Sequence, residues 1–219
     1  MKILIAADME GVTGVVCWDH VAPAHPEYAR FRRLMTNDVN AAIRGACDAG
    51  ADEVLVSDGH SSGRNILIEE LDPRARLRSG SPSPLSMVSG VETGVDGVAF
   101  VGYHARIGVE NAILEHTWSD ERVAALRING QFTGETGLNA AICGHFGAPI
   151  LMISGDQTVC AEAKEWVTGV ETATVKKAAG RFSAECLPLP VSQQLIRDTA
   201  QRAVHRVLDG KGPAPLKVK

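Results

Sequence analysis

The stretch that decides the fold is MKILIAADMEG, residues 1–11, in which an apolar run meets two carboxylates. Residues 2–7 are short and apolar, which is typical of a buried strand. A helical pattern then runs over residues 27–49, with Gly50 as its stop signal. Residues 52–57 are a second apolar segment. Two strands joined by a helix predict a βαβ unit, and hence a parallel sheet with right-handed connections.

The rest of the chain extends this pattern of alternating strands and helices. Apolar segments predict strands at 97–103, 149–153 and 170–175, a hairpin with a type I′ turn over 123–133, and helices at 135–146, 158–167 and 192–208. The sequence therefore predicts an α/β fold with a mostly parallel central sheet flanked by helices and a C-terminal α/β portion. We expect residues 1–219 to form a single catalytic domain, with a mobile tail from about residue 210.

Composition narrows the class of protein. The 219 residues carry a formal net charge of -4 and only 5% aromatic side chains, which argues against a nucleic-acid partner. The apolar runs fall short of the ~20 residues that a membrane span needs, and the N-terminus is interrupted too early by Asp8 for a signal peptide. Five widely spaced cysteines argue against a disulfide framework and against a thiolate zinc site. We expect a cytoplasmic protein.

Potential metal ligands follow three of the predicted strands. Asp8 and Glu10 follow the first strand, His60 follows the second, and His104 follows the strand at 97–103. Open parallel sheets bind ligands beyond the carboxyl ends of their strands, so neighbouring strands would bring these groups into one crevice. Zinc accepts imidazole nitrogen and carboxylate oxygen, and a carboxylate can bridge two ions. The pattern predicts a metal site.

Each of these residues also has an ordinary structural interpretation. Asp8 and Glu10 are of the type that caps a segment or pairs with arginine, and an isolated His60 or His104 is typical of a solvated or backbone-bonded histidine. Asp58 is either a ligand or an acceptor that orients an imidazole. His116 and Glu135 are not singled out by their surroundings, because a loop histidine and a carboxylate in a first helical turn are both common.

Several segments together resemble the zinc-dependent D-aminopeptidase (DppA) family, over almost the whole chain from Lys2 to about Pro190. The segments that carry the resemblance are Asp8-Met9-Glu10-Gly11, Asp58-Gly59-His60-Ser61, Gly102-Tyr103-His104-Ala105-Arg106, Asn129-Gly130, Gly134-Glu135-Thr136-Gly137-Leu138-Asn139-Ala140 and Leu151-Met152-Ile153-Ser154-Gly155-Asp156.

The resemblance implies a function and a set of site residues. The ligands of a dinuclear centre with two Zn2+ per subunit would be Asp8, Glu10, His60, His104 and Glu135. Asp8 would be the bridging carboxylate, and His116 would be the catalytic histidine. The enzyme would use an activated water to release N-terminal D-amino acids from short peptides. Its subunits would form a ring-shaped homo-decamer with the active sites facing an internal channel.

The sequence leaves other functions open. A different metal-dependent amidase or a phosphoesterase would use the same groups, and a non-catalytic metal-binding α/β module is the alternative outside the enzymes. Asp58, Glu115 and Glu10 are equal candidates for the general base. Preference for D or L residues depends on the shape of the pocket, and the native metal depends on cellular supply as well as affinity.

Overall fold

The structure is a computed structural model and describes residues 1–218. Over this range a seven-stranded sheet has the order β3-β2-β1-β4-β7-β8-β9, and β5 and β6 form a separate antiparallel hairpin. The sheet is parallel apart from its last strand, β9. The strands are β1 Lys2–Ala7, β2 Glu53–Asp58, β3 Ala75–Arg78, β4 Gly97–Val101, β5 Leu126–Ile128, β6 Gln131–Thr133, β7 Ile150–Asp156, β8 Glu171–Gly180 and β9 Ser183–Cys186.

Four α-helices cover the two faces of the sheet. They are α1 Tyr28–Asp48, α2 Glu135–His145, α3 Gln157–Trp166 and α4 Leu189–Leu208. Ile3 and Ile5 of β1 point into the core that contains α1 and α4, whereas Leu4 and Ala6 point into the core that contains α2 and α3. Both sets are buried because successive side chains of a strand alternate between faces. This confirms the predicted α/β class.

The strand order reverses next to β1. The chain moves from β1 outward to β2 and β3, and then crosses to the other side of β1 to form β4. Register places Ala7 opposite Asp58 of β2 and opposite Val101 of β4, so the three strands end at the same level. Such a switch point leaves a crevice beyond the carboxyl ends of the strands, which is where doubly wound folds bind ligands.

Several strand assignments differ from those read from the sequence. β7 and β8 continue to Asp156 and Gly180 instead of ending at residues 153 and 175, and β5 begins at Leu126 instead of residue 123. β4 ends at Val101, two residues early, because Gly102 turns into the left-handed region at φ 76°. The edge strands β3 and β9 were not predicted. Both are only four residues long and carry polar side chains, so they lack the apolar run that marks a buried strand.

Other local predictions agree with the structure. Asn129 and Gly130 have φ values of 52° and 82°, as the predicted type I′ turn requires at both positions.

None of the helices within residues 1–218 combines the length and apolarity that crossing a membrane demands. Beyond α4, Leu216 packs against the core and its backbone lies beside Gly144. The single domain and the mobility of the tail stay predictions.

Candidate metal centre

Backbone hydrogen bonds join the three strand ends that carry the predicted ligands. The amide of Asp8 donates to Val101 O at 2.8 Å, and the amide of Gly59 donates to Ala7 O at 2.8 Å. The amide of Gly11 donates to Gly102 O at 2.7 Å, which continues the contact between the first and third loops. The loops after β1, β2 and β4 therefore converge in one crevice.

Two histidines face the buried carboxylates that follow β1. His60 Nδ1 lies 3.1 Å from Glu10 Oε2 and 3.4 Å from Asp8 Oδ1. His104 Nε2 lies 3.4 Å from Asp8 Oδ2 and 3.4 Å from Glu135 Oε2. The two oxygens of Asp8 thus face different imidazoles. The crevice brings together all five residues that the family resemblance gave as ligands.

Backbone carbonyls fix which nitrogen of each imidazole is free. His60 Nε2 lies 3.0 Å from Val21 O, and His104 Nδ1 lies 3.0 Å from Ala105 O. A carbonyl only accepts, so each of these nitrogens is the one that donates its hydrogen. In the neutral form of each ring the lone pair is then on the nitrogen that faces the carboxylates, which is the arrangement of a metal-binding histidine.

The donor atoms fit a divalent ion such as zinc. With Zn–N and Zn–O bonds of 2.0–2.2 Å, tetrahedral ligands lie about 3.3–3.6 Å apart, close to the separations seen here. Asp8 Oδ2, Glu10 Oε2 and His104 Nε2 are buried and have no hydrogen-bond partner among residues 1–218. Buried polar atoms are rarely left without a partner, so this set is one that a cation would satisfy.

The charges in the crevice also favour a bound cation. Burial and the neighbouring Glu10 carboxylate raise the pKa of Asp8 to about 7. Burial by itself lowers the pKa of His60 and of His104, but the facing carboxylates outweigh it and raise both pKa values well above the usual range. The cluster therefore attracts positive charge, whether a proton or a metal ion supplies it.

His116 lies against the cluster. Its ring stacks on that of His104 with centroids 4.0 Å apart and planes at 9°. Its Nδ1 lies 2.8 Å from Leu114 O, so Nδ1 carries the hydrogen and Nε2 is the free nitrogen. Burial and the adjacent His104 lower the pKa of His116. Ligand-type atoms of His104, His116 and Glu135 lie within 4.8 Å of one another, so His116 is close enough to act on the same chemistry.

Asp58 supports the loop that carries His60. Its Oδ2 accepts from the amides of Asn65 and Ile66 at 2.6 and 2.8 Å, and its Oδ1 accepts from Asn65 Nδ2 at 2.6 Å. The same Asn65 amide group donates to His60 O at 2.6 Å. Asp58 therefore supports the backbone of the loop that carries His60. Within residues 1–218 it accepts no hydrogen bond from an imidazole, so the ring-orienting role considered from the sequence is not the one it has.

Two buried charged residues hold the loop that carries Glu10. The ammonium of Lys176 donates to the carbonyls of Glu10, Val12 and Val15 at 2.6, 3.0 and 2.7 Å. From the side of α1, the carboxylate of Asp38 accepts from the amide and hydroxyl of Thr13 at 3.0 and 2.9 Å. Burial lowers the pKa of Lys176 to about 8, so at neutral pH it still has three hydrogens for its three carbonyls.

Two further carboxylates tie the remaining segments together. Glu162 of α3 accepts from the amide of Arg106 at 2.9 Å and of Gly134 at 3.3 Å, which joins the His104 loop to the start of α2. Asp156 accepts from the amide of Ile113 at 2.8 Å and also caps α3, which fixes the loop before His116.

Sequence analysis missed Lys176, Asp38 and Glu162. Each stands in a strand or helix whose pattern is otherwise ordinary, and each acts on the backbone of a residue at least 25 positions away. The only local indication is that Lys176 follows the predicted apolar strand at 170–175. A lysine at a solvent-exposed strand end produces the same pattern, so the sequence does not distinguish the two cases. Long-range backbone contacts of this kind leave no mark on local sequence.

Gly11 explains the spacing of the Asp-Met-Glu-Gly segment. A Cβ atom on Gly11 would lie 1.9 Å from the carbonyl oxygen of Tyr103. The nearest atoms belong to the backbone of Gly102 and Tyr103, which cannot move aside as a flexible side chain can. We expect Gly11→Ala to lower the free energy of unfolding by at least about 2 kcal/mol, because it forces apart the loops after β1 and β4. Urea denaturation of the metal-free protein measures this.

Gly180 provides the matched control for that substitution. A Cβ atom there meets nothing within 4 Å, so Gly180→Ala should change the free energy of unfolding by no more than about 0.5 kcal/mol. Equal stability of the two variants would show that the loops are not in close contact at Gly11.

A cavity of about 310 Å3 gives access to the cluster. Its walls include the five clustered residues, His116, and the indoles of Trp18 and Trp118. This volume suits a small ligand. The amide of Trp118 donates to Glu135 Oε1 at 2.7 Å, and this hydrogen bond connects the wall of the cavity to the carboxylate.

Buried carboxylates and imidazoles at a switch point, with a small cavity above them, are typical of metal-dependent hydrolases. The sequence profile of the family Peptidase_M55, described as D-aminopeptidase, matches residues 1–219. A D-aminopeptidase of Bacillus subtilis (strain 168) is 37% identical over 201 residues, which are 91% of this chain and 73% of that protein. The chain belongs to the D-aminopeptidase family.

A solved structure supports the same assignment. The Zn-dependent D-aminopeptidase DppA from Bacillus subtilis, described as a self-compartmentalizing protease, superimposes with a TM-score of 0.95 at 34% identity. The match covers 100% of this chain and 78% of that one. The family resemblance and the metal-dependent aminopeptidase class predicted from the sequence are thereby confirmed.

Proposed function

We propose that this chain is a zinc-dependent D-aminopeptidase that releases N-terminal D-amino acids from short peptides at a dinuclear centre. The observation that carries the proposal is the position of Asp8, whose Oδ1 and Oδ2 face different imidazoles at 3.4 Å each. A carboxylate placed in this way suits a bridge between two ions. The relatives support zinc and the D-amino acid, since DppA is named for both.

The ligands divide into two sets around Asp8. Glu10 and His60 would hold one zinc, and His104 and Glu135 would hold the other, with one oxygen of Asp8 completing each set. An imidazole nitrogen has a single lone pair, so neither His60 nor His104 can bridge two ions, whereas a carboxylate has two oxygens. Two sets of three protein ligands leave open positions, as catalytic zinc requires.

When bound, zinc would lower the pKa of a water towards ~7 and polarise the scissile carbonyl. His116 would move protons at Nε2, because Nδ1 is committed to Leu114 O. Neutral Nε2 accepts a proton, and protonated Nε2 donates one to the leaving amine. The lowered pKa of His116 supports this role, since the ring gives up its proton readily. Of the three candidates for the general base, Asp58 is committed to the amides of Asn65 and Ile66, which leaves Glu10 and Glu115.

Assembly into a ring-shaped homo-oligomer, a decamer as in the family resemblance, is part of the proposal. DppA is self-compartmentalizing. Large apolar side chains are exposed at Trp118, Phe132 and Phe182, which supports association through these surfaces. Light scattering that gives the mass of a single 219-residue chain would contradict the ring. The cytoplasmic location stays a proposal that rests on cysteine usage.

Turnover of D-Ala-D-Ala and L-Ala-L-Ala, with zinc and after chelation, tests the activity. We expect a preference for the D-dipeptide of at least about tenfold, loss of turnover on chelation, and recovery when zinc is restored. Turnover that survives chelation would contradict the metal centre. Acyl amides and phosphate esters in the same assay cover the alternative hydrolases, and rapid cleavage of either class in place of peptides would replace the proposal.

A further inference from the structure

A polar cleft opens beside the metal cavity, at the carboxyl ends of β2 and β3. We call it the serine cleft and define it by Ser61, Gly80, Ser81, Ser83 and Ser86. Its volume is about 250 Å3, and it adjoins a second space of about 350 Å3 through Ser83 and Ser86. Hydroxyl groups and exposed backbone form its walls, which is the lining expected for a peptide backbone rather than for an apolar side chain.

The serine cleft borders the metal cavity. Gly59, Ser61 and Ser86 line both spaces. Ser61 and Ser86 have φ values of 50° and 49°, in the left-handed region that non-glycine residues seldom adopt. Backbone in this region is costly and clusters at binding sites, where the surroundings fix it. The border between the two spaces is therefore built from two constrained serines.

The direction of the substrate follows from the proposed function, on which this inference rests. An enzyme that removes one residue needs room for one side chain on the amino side of the scissile bond. Trp18, His116 and Trp118 stand on the walls of the metal cavity, whereas Ser61 and Ser86 open into the cleft. The part of a peptide that follows the scissile bond would leave through that opening.

Arg78 lines the second space and has donors to spare. Its Nη1 donates to Ser89 Oγ at 3.0 Å and to Glu92 Oε1 at 2.7 Å. Nε and Nη2 make no hydrogen bond within residues 1–218, and the side chain is 38% exposed. A guanidinium with free donors suits a carboxylate. An extended peptide advances about 3.3–3.6 Å per residue, so one or two further residues move its C-terminus well along the cleft.

We propose that the serine cleft binds the residues of a peptide substrate beyond its second residue, and that Arg78 contacts the C-terminal carboxylate of a tripeptide or slightly longer peptide.

Filling the cleft tests the proposal. Ser83→Phe places a ring in it, and no side-chain hydrogen bond of Ser83 within residues 1–218 is lost. We expect kcat/KM for D-Ala-D-Ala-D-Ala to fall about tenfold, through KM, with D-Ala-D-Ala changed less than about twofold. Ser183→Phe, on exposed β9, is the matched control and should change neither. Equal effects of Ser83→Phe on both peptides, or on neither, would overturn the proposal.

A second comparison tests Arg78 separately. Wild type should cleave D-Ala-D-Ala-D-Ala about tenfold more efficiently than its C-terminal amide, and Arg78→Met should remove that preference by slowing only the free acid. An unchanged preference would overturn the role of Arg78. Failure of wild type to cleave D-Ala-D-Ala would instead reject the proposed function, so the two failures are distinguishable.

Discussion

Asp8→Ala should remove both zinc ions and lower kcat/KM for D-Ala-D-Ala by at least about 10³-fold. The reason is geometric, because one oxygen of Asp8 faces His60 and the other faces His104 at 3.4 Å. Truncation takes one ligand from each set at once and leaves two ligands for each ion. Zinc per subunit is measured by elemental analysis after dialysis, and turnover is measured on the same sample.

Comparison with a His60 variant shows whether the effect of Asp8→Ala is due to bridging. In the proposed centre, His60→Ala would remove a ligand from the Glu10 set alone, so we expect one zinc to remain with His104 and Glu135. The expected order is two ions in wild type, one in His60→Ala and none in Asp8→Ala. Asp209→Ala, at an exposed helix end, controls for loss of a carboxylate and should keep both ions. Equal zinc content in the two site variants would show that Asp8 does not bridge.

The position of the site could be predicted from the sequence because apolar runs are local and sheet geometry is general. Asp8, His60 and His104 each follow a predicted strand, and parallel strands end at one edge, so the crevice follows without knowledge of side-chain contacts. Glu135 and His116 required the family resemblance. A glutamate in a first helical turn and a loop histidine are each explained locally, and only the fold brings them next to His104.

The sequence could not reveal the supports of the site or the edges of the sheet. β3 and β9 are short and polar, and they are strands only because β2 and β8 offer them unpaired backbone. Glu162 acts on the amides of Arg106 and Gly134, which the chain path brings near, so its role depends on tertiary structure. The serine cleft likewise forms between segments that are separate in sequence.

Lys176→Met should destabilise the protein and weaken the Glu10 zinc site. The substitution keeps an unbranched apolar chain, one atom shorter, but removes the donor for the carbonyls of Glu10, Val12 and Val15. Each unpaired buried carbonyl costs about 1–3 kcal/mol, and loss of a buried charge offsets part of this. We expect the free energy of unfolding of the metal-free protein to fall by about 3 kcal/mol.

If Lys176 positions Glu10, its loss should weaken zinc binding in the folded protein, whereas a general loss of stability would not. Glu10 is displaced when its carbonyl is released, whereas His104 and Glu135 lie on segments held by Glu162. We expect Lys176→Met, measured where it is fully folded, to bind its first zinc normally and its second at least about tenfold more weakly. Lys177→Met removes an exposed lysine from the next position of β8 and should match wild type in both measurements. If Lys176→Met loses stability but binds two ions as wild type does, Lys176 supports the fold without positioning Glu10.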